Sequence, residues 1–162
     1  MRLNRLLFAG LLAFLLASDA VATSGNPSTP EEVVRGPVRA NAEKDLSKMQ
    51  QFMAPDPDMI SYTIGGRKYV GWSEFARDMQ LEFDSVERLE IPITDLTVWM
   101  RADTAWFAME LDYIRYAPGE RVTRTVIPLR ETGVLERRNG QWILVAWHES
   151  ARYGGVQLTG SE

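Results

Sequence analysis

The residues with the strongest claim to chemistry lie in the last third of the chain. His148 is the single histidine among 162 residues, Ser150 follows it at strand spacing, and three carboxylates, Asp112, Glu131 and Glu149, stand on segments that alternate between apolar and polar residues. A Ser-His-Asp arrangement could run only through His148, and no Gly-x-Ser-x-Gly elbow is present to raise a serine nucleophile. A structural His148, satisfied by a neighbouring strand or a partner, suits a lone imidazole better. With one histidine and no cysteine, zinc and copper sites have almost no ligand stock. Asp56-Pro57-Asp58 is too sparse for calcium and reads as a helix stop, so neither a metal nor a cofactor is expected. Acid/base work remains. A carboxylate in apolar surroundings has its pKa raised toward neutrality, and a nearby tyrosine hydroxyl can steady a developing enolate. Tyr62, Tyr69 and Tyr113 are the available hydroxyls, with Asp112, Glu131 or Glu149 as acid or base. The competing reading makes these carboxylates rim or interface residues paired with Arg115, Arg124 or Arg130.

The elements that must position them follow from periodicity. Thr29-Pro30 with Glu32 resembles an N-cap, a first-turn proline and a capping-box carboxylate. Gly36-Pro37 is expected to interrupt that helix. A main helix then runs from Val38 to Met53, with Val38, Ala42, Leu46, Met49 and Met53 on its apolar face, until Ala54-Pro55-Asp56-Pro57 ends it. Met59–Ile64 and Arg67–Val70 flank Gly65-Gly66 as a hairpin with a two-residue turn. Trp72 and Ser73 open a second helix, with Ser73 as N-cap, Phe75, Met79 and Phe83 inward, and Arg77, Asp78 and Glu82 on the wet side. From Val86 the period becomes two. Four antiparallel strands are expected at Arg88–Met100, Ala105–Ala117, Val122–Arg137 and Gln141–Arg152, joined by short turns that include Asn139-Gly140.

At the amino end, Arg2 and Arg5 precede an apolar run from Leu6 to Ala17 and the small-residue site Ala20-Val21-Ala22, the order of a secretory signal peptide. Residues 1–22 are therefore expected to be removed and 23–29 to be a flexible lead-in. Residues 30–152 form one domain and 153–162 a flexible tail. The apolar run is short for a bilayer span, which argues against a stable membrane anchor and for a periplasmic or secreted protein; an uncleaved anchoring helix is the alternative. Loss of Arg2, Arg5 and Asp19 takes basic residues from 18 to 16 and acidic from 22 to 21, and the net charge from -4 to about -5. Such a surface disfavours nucleic acid. Without cysteine there is no disulfide framework, and stability must come from burial.

This order of elements, with the spacing Arg130-x-Thr132, then Arg138-Asn139-Gly140-x-Trp142, then His148-x-Ser150, resembles the SnoaL-like branch of the nuclear transport factor 2-like (NTF2-like) superfamily over roughly Pro37 to Ser150. It is also similar to the association domain of calcium/calmodulin-dependent protein kinase II, a member of that superfamily. The resemblance implies an α+β cone, with N-terminal helices packed on a strongly curved antiparallel sheet, a pocket at one end and a homodimer through the outer sheet face. It leaves the activity open, because the superfamily holds isomerases, cyclases, dehydratases, transport factors and oligomerisation modules. Ketosteroid isomerase, one relative, sets an Asp base against a Tyr and a protonated Asp, whereas Val38 to Met53 here contains no tyrosine. The arginines that bind small carboxylates in the kinase association domain match Leu111, Gly133 and Glu149, none of them basic. On the same alignment Phe107, Met109, Leu111, Tyr113, Glu131, Val145, Trp147 and Glu149 face the pocket. Its apolar body and acidic mouth suit a neutral or cationic hydrophobic ligand. His148 and Ser150 would share the outer face with Arg130, Thr132 and Trp142.

The ligand-binding set expected from these considerations is Tyr62, Tyr69, Trp72, Phe107, Met109, Tyr113 and Trp147, with Trp72 capping the cone. Asp112, Glu131, Glu149 and His148 are the catalytic candidates. The function implied is a module that binds a small hydrophobic ligand or oligomerises; the alternative is a cofactor-independent isomerase or related enzyme with a pocket carboxylate as general base. A carboxylate within hydrogen-bond reach of a tyrosine inside an apolar cavity would favour the enzyme. A cavity filled by Phe107, Met109 and Leu111 would leave only the interaction module.

Overall fold

A computed structural model describes residues 29–119, 123–152 and 157–159. The expected leader at 1–22 and nearly all of the lead-in at 23–29 lie outside the described residues. Helix α1 spans Pro30–Ala42, opened by the anticipated capping box: Thr29 accepts from the Glu32 amide, and the Glu32 carboxylate accepts from the Thr29 amide. Pro37 does not interrupt it. The helix runs through because Gly36 has no Cβ to collide with the proline ring, and that same missing Cβ leaves room for the Phe52 ring against the helix.

The break falls instead at Lys44, whose φ is 56°. Asp45 then caps a separate five-residue helix, α2, Leu46–Gln50, by accepting from the Lys48 amide. Lys44 reaches across to donate to the carbonyls of Phe83 and Val86 at 3.0 and 2.8 Å, which fixes the departure angle of the chain against the end of α3, Trp72–Ser85.

The short strands β1, Ile60–Tyr62, and β2, Lys68–Val70, form the expected hairpin. Its loop holds three residues: Thr63 donates to the Arg67 carbonyl, Gly66 donates back to Thr63, and Gly66 takes a positive φ of 78°. Helix α3 is not capped by Ser73. Its N-cap is Gly71, and the exposed amino end is bound by the carboxylate of Asp56, which accepts from both the side chain and the amide of Ser73. Hydrogen bonds from the Ser73 hydroxyl and then from the Ser73 and Trp72 amides hold the Asp56 pKa below its ordinary value.

The first long strand is two strands. β3, Arg88–Glu90, and β4, Ile93–Arg101, are separated at Ile91-Pro92, where proline has no amide to give a ladder. Both pair with one edge of β5, Thr104–Tyr116. β6, Arg124–Arg138, and β7, Gln141–Ala151, complete the meander. The β6–β7 turn is Asn139-Gly140, both at positive φ, as a tight hairpin demands. The sheet is mixed, because β1 lies parallel to β7 at Ala146–His148, and the order is β2-β1-β7-β6-β5-β3. Within the expected tail, Gln157–Thr159 form β8 and pair with β6 at Arg124–Val126, beyond the reach of β7.

The helices cover one face of this curved sheet, and the core lies between them, with Val33, Val34, Met49, Phe75, Phe107, Met109, Leu111, Leu135, Leu144 and Trp147 buried. Gly133 sits in β6 beneath the Phe107 ring; a Cβ there would stand 2.6 Å from the Ala146 carbonyl oxygen, a backbone atom that cannot step aside. Gly133→Ala is therefore expected to cost about 2 kcal/mol, the order seen for overpacked cores, measured by urea denaturation; an unchanged midpoint would show that the ladder yields at this point.

Candidate functional site

Side-chain parity decides what faces the helices. Along β5, Phe107, Met109, Leu111, Tyr113 and Arg115 point inward, and their partners on β6 include Leu129 and Glu131. On β7 parity changes partway. β6 and β7 slip by one residue between Val134 and Leu135, so that Val134 pairs with Ala146 but Leu135 pairs with Leu144, leaving Val145 as a bulge. On the hairpin side of the bulge the even positions Trp142 and Leu144 are buried inward, and on its other side buried Trp147 and half-buried Glu149 point inward at odd positions. Trp142 thus joins the core instead of the outer face, and Val145 leaves the cavity lining.

Between sheet and helices lies a cavity of about 350 Å³, with exposed Ile64 and Gly65 of the β1–β2 loop at its mouth. Its body is apolar: Val34, Met49, Phe75, Phe107, Met109, Leu111, Leu129 and Trp147. Phe107, Met109 and Leu111 line it without filling it. Tyr69, Tyr113 and the two inward glutamates from the expected set line it as well. Tyr62 and Trp72 do not. Tyr62 stands on the outer face edge-on to His148, ring centroids 6.1 Å apart, while Trp72 is buried against Phe75 at the start of α3.

The centre of the site is Glu131 and Glu149, directly paired across β6 and β7, a relation that puts their Cβ atoms about 5 Å apart. Glu149 accepts from the Ile64 amide at 2.9 Å and from Trp147 Nε1 at 3.4 Å. Glu131 has no donor and no ion-pair partner among the described residues. Both glutamates are half-buried and line the cavity. Burial first, and the neighbouring Glu149 second, push the Glu131 pKa up to about 8. Burial also raises Glu149, against the pull of its two N–H donors. Burial thus favours the protonated form of each, while the two donors of Glu149 favour its anion.

The other polar groups of the cavity are committed. Asp78 and Glu82, expected on the wet side of α3, face inward. Asp78 accepts from Tyr69 at 3.0 Å and is bound by Arg67, whereas Glu82 is held at 2.7 Å by Arg115. Tyr113 donates to Asn41 Oδ1 at 3.5 Å, and burial raises its pKa; it lies four residues, about 13 Å, along β5 from the partner of Glu131. Spacing carried a signal for the helix residues, since Phe75, Asp78, Met79 and Glu82 recur at three and four. Asn41 and the Ile64 amide had none.

The remaining candidates are on the outer face. Asp112 is bound by Arg152. His148 is exposed, paired in register with Thr132, and no hydrogen bond joins it to a serine or carboxylate among the described residues. Of the arginines proposed as carboxylate partners, Arg115 binds Glu82 and Arg130 binds Glu110, so neither neutralises the central pair. Among the described residues, no group of three or more His, Cys, Asp or Glu side chains is placed to share a metal ion, and no helix is long and apolar enough to cross a membrane.

The family model for the SnoaL-like domain matches residues 31–154. A provisionally assigned dehydratase of the NTF2-like family from Streptomyces avermitilis superposes with a TM-score of 0.70 at 17% identity, over 76% of this chain and 94% of that one. A provisionally assigned calcium/calmodulin-dependent protein kinase type II association domain from Thiobacillus denitrificans gives 0.66 at 17%, over 79% and 98%. A provisionally assigned scytalone dehydratase from Novosphingobium aromaticivorans gives 0.69 at 8%, over 82% and 86%. At such identities the likeness carries the fold alone. No curated protein matches the chain in sequence.

The sign of the pH effect follows from Glu131. Its folded pKa lies above the ordinary 4.5, so its contribution to stability is full below that pH and is lost as pH rises toward about 8. Glu131→Gln, neutral at every pH, is expected to stabilise the protein by on the order of 2 kcal/mol above about pH 8 and to change little below about pH 4.5. Denaturation curves across that range check this, and parallel pH profiles for the two proteins would contradict it.

Proposed function

Because the chain belongs to the SnoaL-like domain family, in which one fold carries several activities, we propose that it works as a binding module for a small, mainly apolar molecule held in the cavity. The observation that carries this reading is the cavity itself: its volume is within the range of ligand pockets, its walls are apolar, and few polar groups in it are uncommitted. An anion is disfavoured, since Arg115 is taken by Glu82 and, among the described residues, no other arginine or lysine lines the cavity.

The proposal includes export, on the strength of the leader-like first 22 residues, and a homodimer through the outer sheet face. Ile60, Tyr62, Trp99, Trp106 and Val134 are 37–47% exposed there, with Trp99 and Trp106 stacked as a cross-strand pair. Beside them Arg130, Glu110, Arg152 and Asp112 answer one another within the chain and border the apolar patch. A second reading, favoured by the Tyr69 hydroxyl donating to Asp78 at 3.0 Å within the cavity and by the facing Glu131 and Glu149, is a cofactor-independent acid/base enzyme acting on a carbonyl compound. Glu149 would take a proton and Glu131 would donate one.

Native mass spectrometry of protein purified from its own cell envelope tests the main reading. The expected spectrum shows a dimer carrying a small organic molecule, with Leu111→Trp losing the molecule and Trp106→Glu the dimer. A bare monomer from the unmodified protein would overturn it.

A further inference from the structure

The central pair of the cavity has an electrostatic demand that an apolar ligand alone leaves unmet. Among the described residues four carboxylates line the space, Asp78, Glu82, Glu131 and Glu149, against one guanidinium, Arg115. Two of the four are answered, Asp78 by Arg67 and Tyr69 and Glu82 by Arg115. Glu149 is answered in part, by two N–H groups that carry no full charge. Glu131 is answered by nothing but a proton. The polar groups lining the cavity with the pair are Asp78 and Glu82 on α3, Tyr69 on β2, Tyr113 and Arg115 on β5, Asn41 on α1 and Thr63 beside β1; from the outer face of β7, the charge of His148 acts to lower the Glu149 pKa.

From this arrangement we infer that the ligand is a protonated hydrophobic amine, whose ammonium group sits between Glu131 and Glu149 and whose apolar part lies against Met109, Leu111 and Leu129. The inference rests on the reading of the cavity as a site for an apolar molecule and names the head group that such a molecule carries. An ammonium group has three donors and no acceptor, which complements Glu131, without a donor among the described residues, and Glu149, whose two donors carry no full charge. Trp147 and Phe107 line the cavity beside the pair, and aromatic walls favour a cation in a desolvated site. A neutral alcohol or amide could donate to Glu149 but would leave Glu131 holding its proton and the site's negative character unspent.

The exchange balances simply. The bound ammonium takes the place of the Glu131 proton, that proton leaves to solvent, and both carboxylates become ionised around one cation. Binding near neutral pH is thus accompanied by release of up to one proton, and affinity falls as acid protonates the pair.

Three probes of one shape separate the possibilities: phenylbutylamine, phenylbutanol and phenylvalerate, titrated calorimetrically near neutral pH in two buffers of different ionisation enthalpy. The expected order places the amine about tenfold or more ahead of the alcohol, a ratio of the size that one well-placed charge contributes, with the carboxylate last. The heat of amine binding alone should depend on the buffer. Glu131→Gln and Glu149→Gln, each checked for its native circular dichroism, should bring the amine-to-alcohol ratio toward one, and Glu131→Gln should abolish the buffer dependence. An alcohol that binds as well as the amine, or amine binding without proton release, would overturn the amine assignment and leave the apolar cavity standing. Failure of all three probes to bind the unmodified protein would overturn both.

Discussion

The β5–β6–β7 register is the constraint on which the rest of this structure depends. Thirteen consecutive pairs join β5 to β6, and each fixes which side chain meets the helices. A shift of one residue would turn Phe107, Met109, Leu111, Glu131 and Glu149 outward and bring Glu110, Asp112 and Arg130 into the core. The only slip among the described pairs of β6 and β7 occurs at Val145, and its effect is local. It lets Trp142 and Leu144 continue the apolar wall near the hairpin, while Trp147 and Glu149 retain the other parity. The edge of β7 beside the bulge is used as well: Leu144 exchanges hydrogen bonds with Phe52 and Ala54 at the exit of α2. The irregularity that bends the strand is thus also where the helical layer is tied to the sheet.

The enclosed space has an energetic consequence. Sealed and empty, an apolar cavity of about 350 Å³ would forfeit about 8 kcal/mol at the cost per volume measured for core truncations, comparable to the whole stability of an ordinary domain. The fold does not seal it. Ile64 and Gly65 stand exposed at the mouth, so the space is open to water or to a ligand, and the strongly paired sheet around it supplies the stability that its interior does not.

Most of this architecture was legible in the residues. Thr29-Pro30 with Glu32, the Asn139-Gly140 turn and the alternation of β5 to β7 each rest on local rules that tertiary packing had no reason to override. Where the reading failed, the cause was non-local. Gly36-Pro37 looked like a break because proline usually is one, yet the chain turned at Lys44, whose ammonium finds its carbonyl partners some 40 positions downstream. Asp56, read as a helix stop, caps α3 from a separate segment. The parallel pairing of β1 with β7 and the bulge at Val145 left no mark in the alternation. Pro92 did carry a signal, and it marks where β3 and β4 part. In the site, parity placed Glu131 and Glu149 together, but the commitments of Asp78 and Glu82 depend on Arg67 and Arg115, which no spacing rule connects to them.

Those commitments explain why the central pair stands out. At the rim the carboxylates of α3 have arginines at salt-bridge distance and keep partial access to water, so their charges cost little to maintain. For Glu131 and Glu149 the same charge would need either an arginine of its own, with the desolvation penalty of two ions to offset, or a proton. The sheet provides neither lysine nor arginine at the inward positions adjoining the pair on β5 and β6, where Met109, Leu111, Leu129 and Gly133 stand. A proton is the smallest cation available, and burial favours its retention on Glu131. Replacement of either glutamate by an apolar residue would have given a simpler core. Both are present instead, opposite each other and lining open space, a pairing that the packing of the core does not require.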